Sequence, residues 1–146
     1  MDIKMIEHSV KVVVDYDPSQ SDNAVISEGI IASNAHIIGE RDKAFSIFLK
    51  NDSGQVFGGI QAFLDTESIY IDVLWVEEKS QKKGYGTKLL DAIDLEAIKN
   101  GCKFITVDTW DFQAEGFYLK NGYERIGEVK NYWLGHSKIS LRKKIR

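Results

Sequence analysis

Two glycines and three lysines crowd into "QKKGYGTKLL" (Gln81–Leu90), between an apolar run, "IYIDVLWV", and a segment of helical apolar spacing. Where a strand ends in glycines and a helix follows at once, free backbone N–H groups and the positive end of the helix dipole face the loop. Such a loop can hold an anion. Thr87 adds a hydroxyl at the helix start, and Lys82, Lys83 and Lys88 add charge that neutralises phosphate. The stretch nevertheless fits neither nucleotide fingerprint: Gly84 and Gly86 lack the four-residue gap before Gly-Lys-Ser/Thr, and Leu89 stands where the dinucleotide pattern needs glycine. On these residues alone, a solvated loop with lysines for solubility stands beside the anion cradle.

Asp72 is the second residue with chemical potential, a carboxylate inside the apolar run. Burying it unpaired is costly, so it needs a partner, an open cleft or a raised pKa. It is read as a base or amine anchor, with a structural role as the alternative. Glu77, Glu78 and Asp111 rival it, and a solvated turn is their plainer reading.

The elements that must position these residues follow from periodicity. "AFSIFLK" and "QVFGGIQAFL" are strand-like runs joined by the turn residues "NDSG", and "DTES" leads into a third strand, Ser68–Val76. In that strand Ile69, Ile71, Val73 and Trp75 fall on one face and Tyr70, Asp72, Leu74 and Val76 on the other. It should be central and covered on both sides, with Asp72 aimed at the cleft region if no bulge intervenes. A helix over 87–100 turns Leu89, Leu90, Ile93, Ala97 and Ile98 inward and ends at Gly101, and "KFITVDTW" is the next buried strand. Strand, helix and strand make a crossover with the two strands parallel. A short helix, "AEGFYLKNG", and two strands, "ERIGEVKNYW" and "SKISLRKKI", complete the chain; the last has its basic residues outward, which protects an edge. At the other end "VKVVV" (Val10–Val14) is a strand closed by Pro18. A helix capped by Ser21 or Asp22 follows, with Val25, Ile26, Ile30, Ile37 and Ile38 at buriable spacings and Gly29 and Gly39 weakening or splitting it.

Composition narrows the function. A chain of 146 residues, 43% hydrophobic and 28% charged, suits one globular domain over 1–146. A net charge of −3 argues against a nucleic-acid partner, so any phosphate site is local. No apolar run is long enough for a membrane, and "MDIKMIEHSV" lacks a signal-peptide core, so a cytoplasmic protein is expected. The single Cys102 reads as a small structural residue, and His8, His36 and His136 have no metal-ligand spacing; no metal is expected.

"VEEKSQKKGYGTKLL" resembles the Gln/Arg-x-x-Gly-x-Gly/Ala signature of the GCN5-related N-acetyltransferases, through Gln81, Gly84 and Gly86. "DFQAEGFYLKNGYERIG" is similar to a later segment of that family, in which a short helix carries a tyrosine and ends in Gly-Phe/Tyr; the matching positions are Ala114, Phe117, Tyr118, Gly122 and Tyr123. Asp111 departs from the asparagine common in the family seven residues before the tyrosine, which touches that position's amide contact to pantetheine. The generic fit fades over residues 1–40.

The resemblance implies an α+β fold: a mixed, mostly antiparallel sheet of about seven strands flanked by helices, with a splayed parallel pair at an acyl-CoA cleft. It implies acetyl-CoA as co-substrate. Backbone groups of Leu74, Trp75 and Val76 would meet pantetheine and thioester, and Gln81, Lys82, Lys83, Gly84, Tyr85, Gly86, Thr87 and Lys88 the pyrophosphate, with Asp111, Ala114, Phe117 and Tyr118 completing the site. A backbone N–H near Leu74 would stabilise the oxyanion. The amine would attack directly, with Tyr118 as proton donor to the CoA thiolate and Asp72 or, more weakly, His136 as base. His36, Asp72, Trp110, Phe112 and His136 are the acceptor-pocket candidates, together with Trp133; each aromatic is also a plausible core residue, and "NYWLGHSK" is read as a loop over the site. A small-molecule amine is the expected acceptor, with a protein amine and a non-catalytic acyl-CoA-binding module as alternatives. A homodimer through edge strands is expected by analogy.

Overall fold

The computed structural model describes residues 9–39 and 43–146, and the chain divides into units 1–37 and 38–146. The N-terminal stretch read above for a leader lies largely outside the described residues. In the first unit, Val10–Val14 is not a strand. The sheet has six strands rather than about seven among the described residues. β-Branched composition alone does not make a strand without a ladder partner. Helix α1 (Gln20–Ile38) runs unbroken through Gly29 and starts before Ser21, because the Ser19 hydroxyl accepts the Asp22 N–H at 3.1 Å. None of its residues is buried, which corrects the expectation for Val25, Ile26, Ile30, Ile37 and Ile38.

The second unit holds the sheet: β1 (Lys43–Lys50), β2 (Val56–Leu64), β3 (Ser68–Val76), β4 (Phe104–Trp110), β5 (Glu124–Trp133) and β6 (His136–Lys144). Their order is β1-β2-β3-β4-β6-β5, antiparallel except for the β3–β4 pair. Helices α2 (Tyr85–Lys99) and α3 (Glu115–Lys120) complete it. Leu89, Leu90, Ile93 and Ala97 of α2 are buried in a core with Ile60, Ile69, Ile71, Ile105, Val107, Ile139 and Leu141. Each leucine, isoleucine or valine among them contributes about 1.5–3 kcal/mol on burial. Ile98, expected inward, is exposed. Gly101 takes the left-handed conformation after α2, and its N–H and that of Cys102 close on Ile98 and Ala97 in a Schellman motif.

β6 lies between β4 and β5, so the basic strand is interior and the edge on that side is β5, the reverse of the expectation. β5 and β6 form a hairpin with Trp133 opposite His136, so "NYWLGHSK" is a strand end and turn rather than a loop over a site.

Two glycines of β2 set how closely three strands approach. A Cβ on Gly59 would stand 2.3 Å from the Ile47 carbonyl oxygen, and one on Gly58 2.8 Å from that of Trp75. Since both obstacles are backbone, Gly59→Ala is expected to destabilise the fold by about 1–3 kcal/mol, seen as a lower urea midpoint at unchanged m-value.

Candidate functional site

One register shift decides what β3 presents. Ala62 faces Ile71 but its neighbour Gln61 faces Val73, so Asp72 is the extra residue of a bulge. The bulge reverses the alternation. Leu74 and Val76 join Ile69 and Ile71 on the buried side, while Val73 and Trp75 are exposed with Asp72. This corrects both the face assignment and the coverage expected for β3. Asp72 lines a shallow hollow with Ala44, Gln61 and Phe63 instead of sitting buried in a strand. Asp72→Asn should therefore shift stability by no more than about 0.5 kcal/mol, as read by denaturant titration.

The β3–β4 ladder runs only from Ser68 with Phe104 to Ile71 with Val107. Beyond that the parallel strands part. Against the end of β3, where β4 no longer pairs with it, lies a cavity of about 450 Å³. Leu74, Trp75 and Val76 form its strand side; Gln81, Lys82, Gly84, Tyr85, Gly86 and Thr87 its loop and helix side; Ala114 and Phe117 its α3 side. Ser80, which sequence reasoning missed, also lines it. Lys83, Lys88, Asp111 and Tyr118 do not; Lys88 borders an adjacent hollow with Asp52 and Glu77, its ammonium 5.7 Å from the Tyr85 ring centroid.

The loop is built from its own residues. Glu77 accepts the Ser80 hydroxyl at 2.8 Å, which fixes the single 3-10 turn Glu78–Ser80. The Gln81 amide donates to the Val76 carbonyl at 2.9 Å, tying the loop to the strand end. Gly84 precedes α2 at φ 84°, and no side chain caps the helix, which starts at Tyr85 rather than Thr87. Its first N–H groups therefore remain available to an anion. Gly86 serves differently: a Cβ there would stand 2.9 Å from Phe117 Cζ. Phe117 can line the cavity because that position has no side chain.

Thr109, buried and also missed from sequence, accepts the Ala114 N–H at 3.4 Å and so sets the turn into α3. That turn places Phe117 on the cavity and Tyr118 behind it, their rings edge to face at 5.2 Å. Tyr118 is 5% exposed, and burial alone pushes its hydroxyl up to about 12. It therefore keeps its proton throughout the neutral range.

At the far end of β4, Trp110, Phe112 and His136 do come together. Trp110 meets Phe112, Tyr132 and Trp133 at 5.6–6.4 Å between ring centroids, and Phe112 meets His136 edge to face at 4.6 Å. Asp111 belongs to this group and not to the cavity. Its carboxylate accepts the Ser137 N–H at 2.8 Å and contacts His136 Nδ1 at 2.8 Å. The Ser137 bond is the main reason its pKa is lowered, with His136 adding to it. His36 is on α1, in the other unit.

A parted parallel strand pair, a glycine loop opening a helix and a tyrosine-bearing short helix converge here. The Acetyltransferase (GNAT) family matches residues 15–123. The chain belongs to that family. As a member it is an acyltransferase with a mixed α+β fold. It is 30% identical to an acetyltransferase of Agrobacterium fabrum over 134 residues, 91% of this chain and 97% of that one. It is 29% identical to the blasticidin-S acetyltransferase of Streptomyces morookaense over 91 residues, 62% of this chain and 67% of the relative. In structure it is similar to an aminoglycoside 6'-N-acetyltransferase complexed with coenzyme A, with a TM-score of 0.63 at 19% identity, covering 70% of this chain and 73% of that one. Among the described residues no helix is long and apolar enough to cross a membrane, and no three His, Cys, Asp or Glu side chains group as metal ligands.

Proposed function

We propose that this family member moves the acetyl group of acetyl-CoA onto a primary amine of a small molecule, by direct attack within a ternary complex. The observation that carries this reading is the cavity itself, bounded at once by the end of β3 where β4 no longer pairs with it, the uncapped start of α2 and Phe117. These residues fit acetyl-CoA. The N–H groups of Tyr85, Gly86 and Thr87 would hold pyrophosphate with Lys82 neutralising it, and the free edge of Leu74–Val76 would hold pantetheine. When bound, acetyl-CoA supplies an activated acyl carbon and a thiolate leaving group.

A backbone N–H near Leu74 stabilises charge developing on the carbonyl oxygen. As the amine nitrogen bonds to the acyl carbon and the C–S bond breaks, Tyr118, directly behind Phe117 of the cavity wall, supplies the proton that the sulfur needs and regains one from solvent. The acceptor sheds one ammonium proton to solvent before it attacks and a second as the amide forms; Asp72, in a hollow of its own, does not border the cavity. A small-molecule acceptor is supported by the blasticidin-S relative and by the aromatic group at the end of β4. The free thiol of Cys102 suits a cytoplasmic setting, and the exposed edge of β5 is where a second copy would pair.

Incubation with acetyl-CoA and a panel of polyamines, amino sugars, nucleoside amines and arylalkylamines, read by mass spectrometry, is expected to reveal an N-acetylated product. Acetyl-CoA binding with no acetylated product from any class would overturn the reading.

A further inference from the structure

The β3–β4 ladder ends at Val107, so Asp108 is the first β4 residue beyond the last pair. Val107 and Thr109 are buried on the core side, and alternation puts Asp108 and Trp110 together on the opposite face of the sheet. The donor cavity is lined from the core side by α2 and α3. Asp108 therefore lies on the face of the parted strands opposite α2 and α3.

That carboxylate is held in place. The Tyr70 hydroxyl donates to Oδ2 at 3.1 Å and the Ser140 hydroxyl donates to Oδ1. Burial first, then the charge of Asp108, push Tyr70 up to about 12, so it remains a donor. An ammonium already sits beside the pair: Lys138 Nζ is 3.7 Å from Asp108 Oδ2 and 5.3 Å from the Tyr132 ring centroid. A cation between a carboxylate and an aromatic face is the chemistry an amine site requires. Its occupant here is a side chain 33% exposed, able to swing into solvent. Trp110 lies two residues farther on, roughly 7 Å along the strand, its ring set among Phe112, Tyr132 and Trp133.

We propose that Asp108, held by Tyr70 and Ser140, binds the acceptor's ammonium group where β3 and β4 part, in exchange for Lys138, while Trp110 packs a flat ring of the same molecule. The acceptor class is then a primary amine bearing an aromatic or heteroaromatic body. This rests on the acetyl-transfer reading, which places the thioester between these strands.

The test compares tryptamine with its uncharged isostere tryptophol, by ligand-observed NMR and calorimetry on the CoA-loaded protein and its variants. Wild type should prefer tryptamine by about tenfold or more. Asp108→Asn should bring the ratio close to one, whereas Lys138→Met should raise it. A purely structural ion pair would move neither ratio, or both the same way, and either result overturns the proposal. A misfolded Asp108→Asn leaves Lys138→Met to decide by the same sign. In parallel, the KM for tryptamine should rise in Asp108→Asn with the KM for acetyl-CoA unchanged. A charge-dependent ratio without acetyl transfer to any amine would sink the transfer reading and keep the ammonium site. Transfer that is indifferent to Asp108→Asn would do the reverse.

Discussion

Tyr118→Phe is expected to lower kcat for acetyl transfer by about 100-fold or more while leaving acetyl-CoA affinity within about twofold. The ring would stay where it is, edge to face with Phe117 at 5.2 Å and Tyr123 at 5.4 Å, so packing is conserved and only the hydroxyl is lost. With its pKa pushed to about 12 by burial, the free tyrosine is a weaker acid than a thiol, whose value is about 8.5. Its contribution is therefore a hydrogen bond that strengthens as negative charge grows on sulfur, with the proton following as the C–S bond breaks. The sign of the pH dependence follows from the same shift. Tyr118 is protonated at every pH below about 12, so it adds no alkaline limb to kcat between pH 7 and 10. Thiol-release kinetics and calorimetry check both parts, and an unchanged kcat removes Tyr118 from the mechanism.

Gly86→Val carries the second large effect. A Cβ at that position already stands 2.9 Å from Phe117 Cζ and 3.0 Å from Cε2, and valine adds two methyl groups. The ring must give way, into the cavity that it lines or against Tyr118 behind it. Acetyl-CoA affinity should fall about tenfold and kcat about 100-fold, since small displacements of reacting groups are costly. Combining Gly86→Val with Phe117→Leu should recover part of the binding. If Gly86 served only close approach of backbone to phosphate, trimming Phe117 would recover nothing. The neighbouring Gly84 differs in kind: its φ of 84° needs glycine, yet nothing lies within 4 Å of its missing Cβ.

The strand, loop and helix from Ser68 to Lys99 were legible because period, glycine placement and helix stop all lie within the segment itself. Most of the residues expected at the loop and strand end line the cavity for the same reason, whereas Lys83, Lys88, Asp111 and Tyr118 do not and Ser80 was missed. Asp72 was misplaced because a bulge is a property of two strands. Nothing in "IYIDVLWV" marks the extra residue, which is defined by Gln61 and Ala62 opposite. The order of the last two strands failed likewise, since composition does not say which strand of a hairpin enters the sheet. Motif position put Asp111 at the cavity, but its carboxylate is engaged by His136 and Ser137, which lie far along the chain on the next hairpin. Asp108 attracted no notice as one acidic residue in "ITVDTW"; only the end of the β3–β4 ladder gives it a place.

The central claim, direct transfer from acetyl-CoA to an amine held in the same complex, is tested most directly by initial rates of CoA thiol release with acetyl-CoA and amine varied together. Intersecting reciprocal plots, with no thiol released before amine is added, are predicted. Parallel plots with a burst of thiol in the absence of amine, or no amine-dependent release from protein that binds acetyl-CoA, would contradict it.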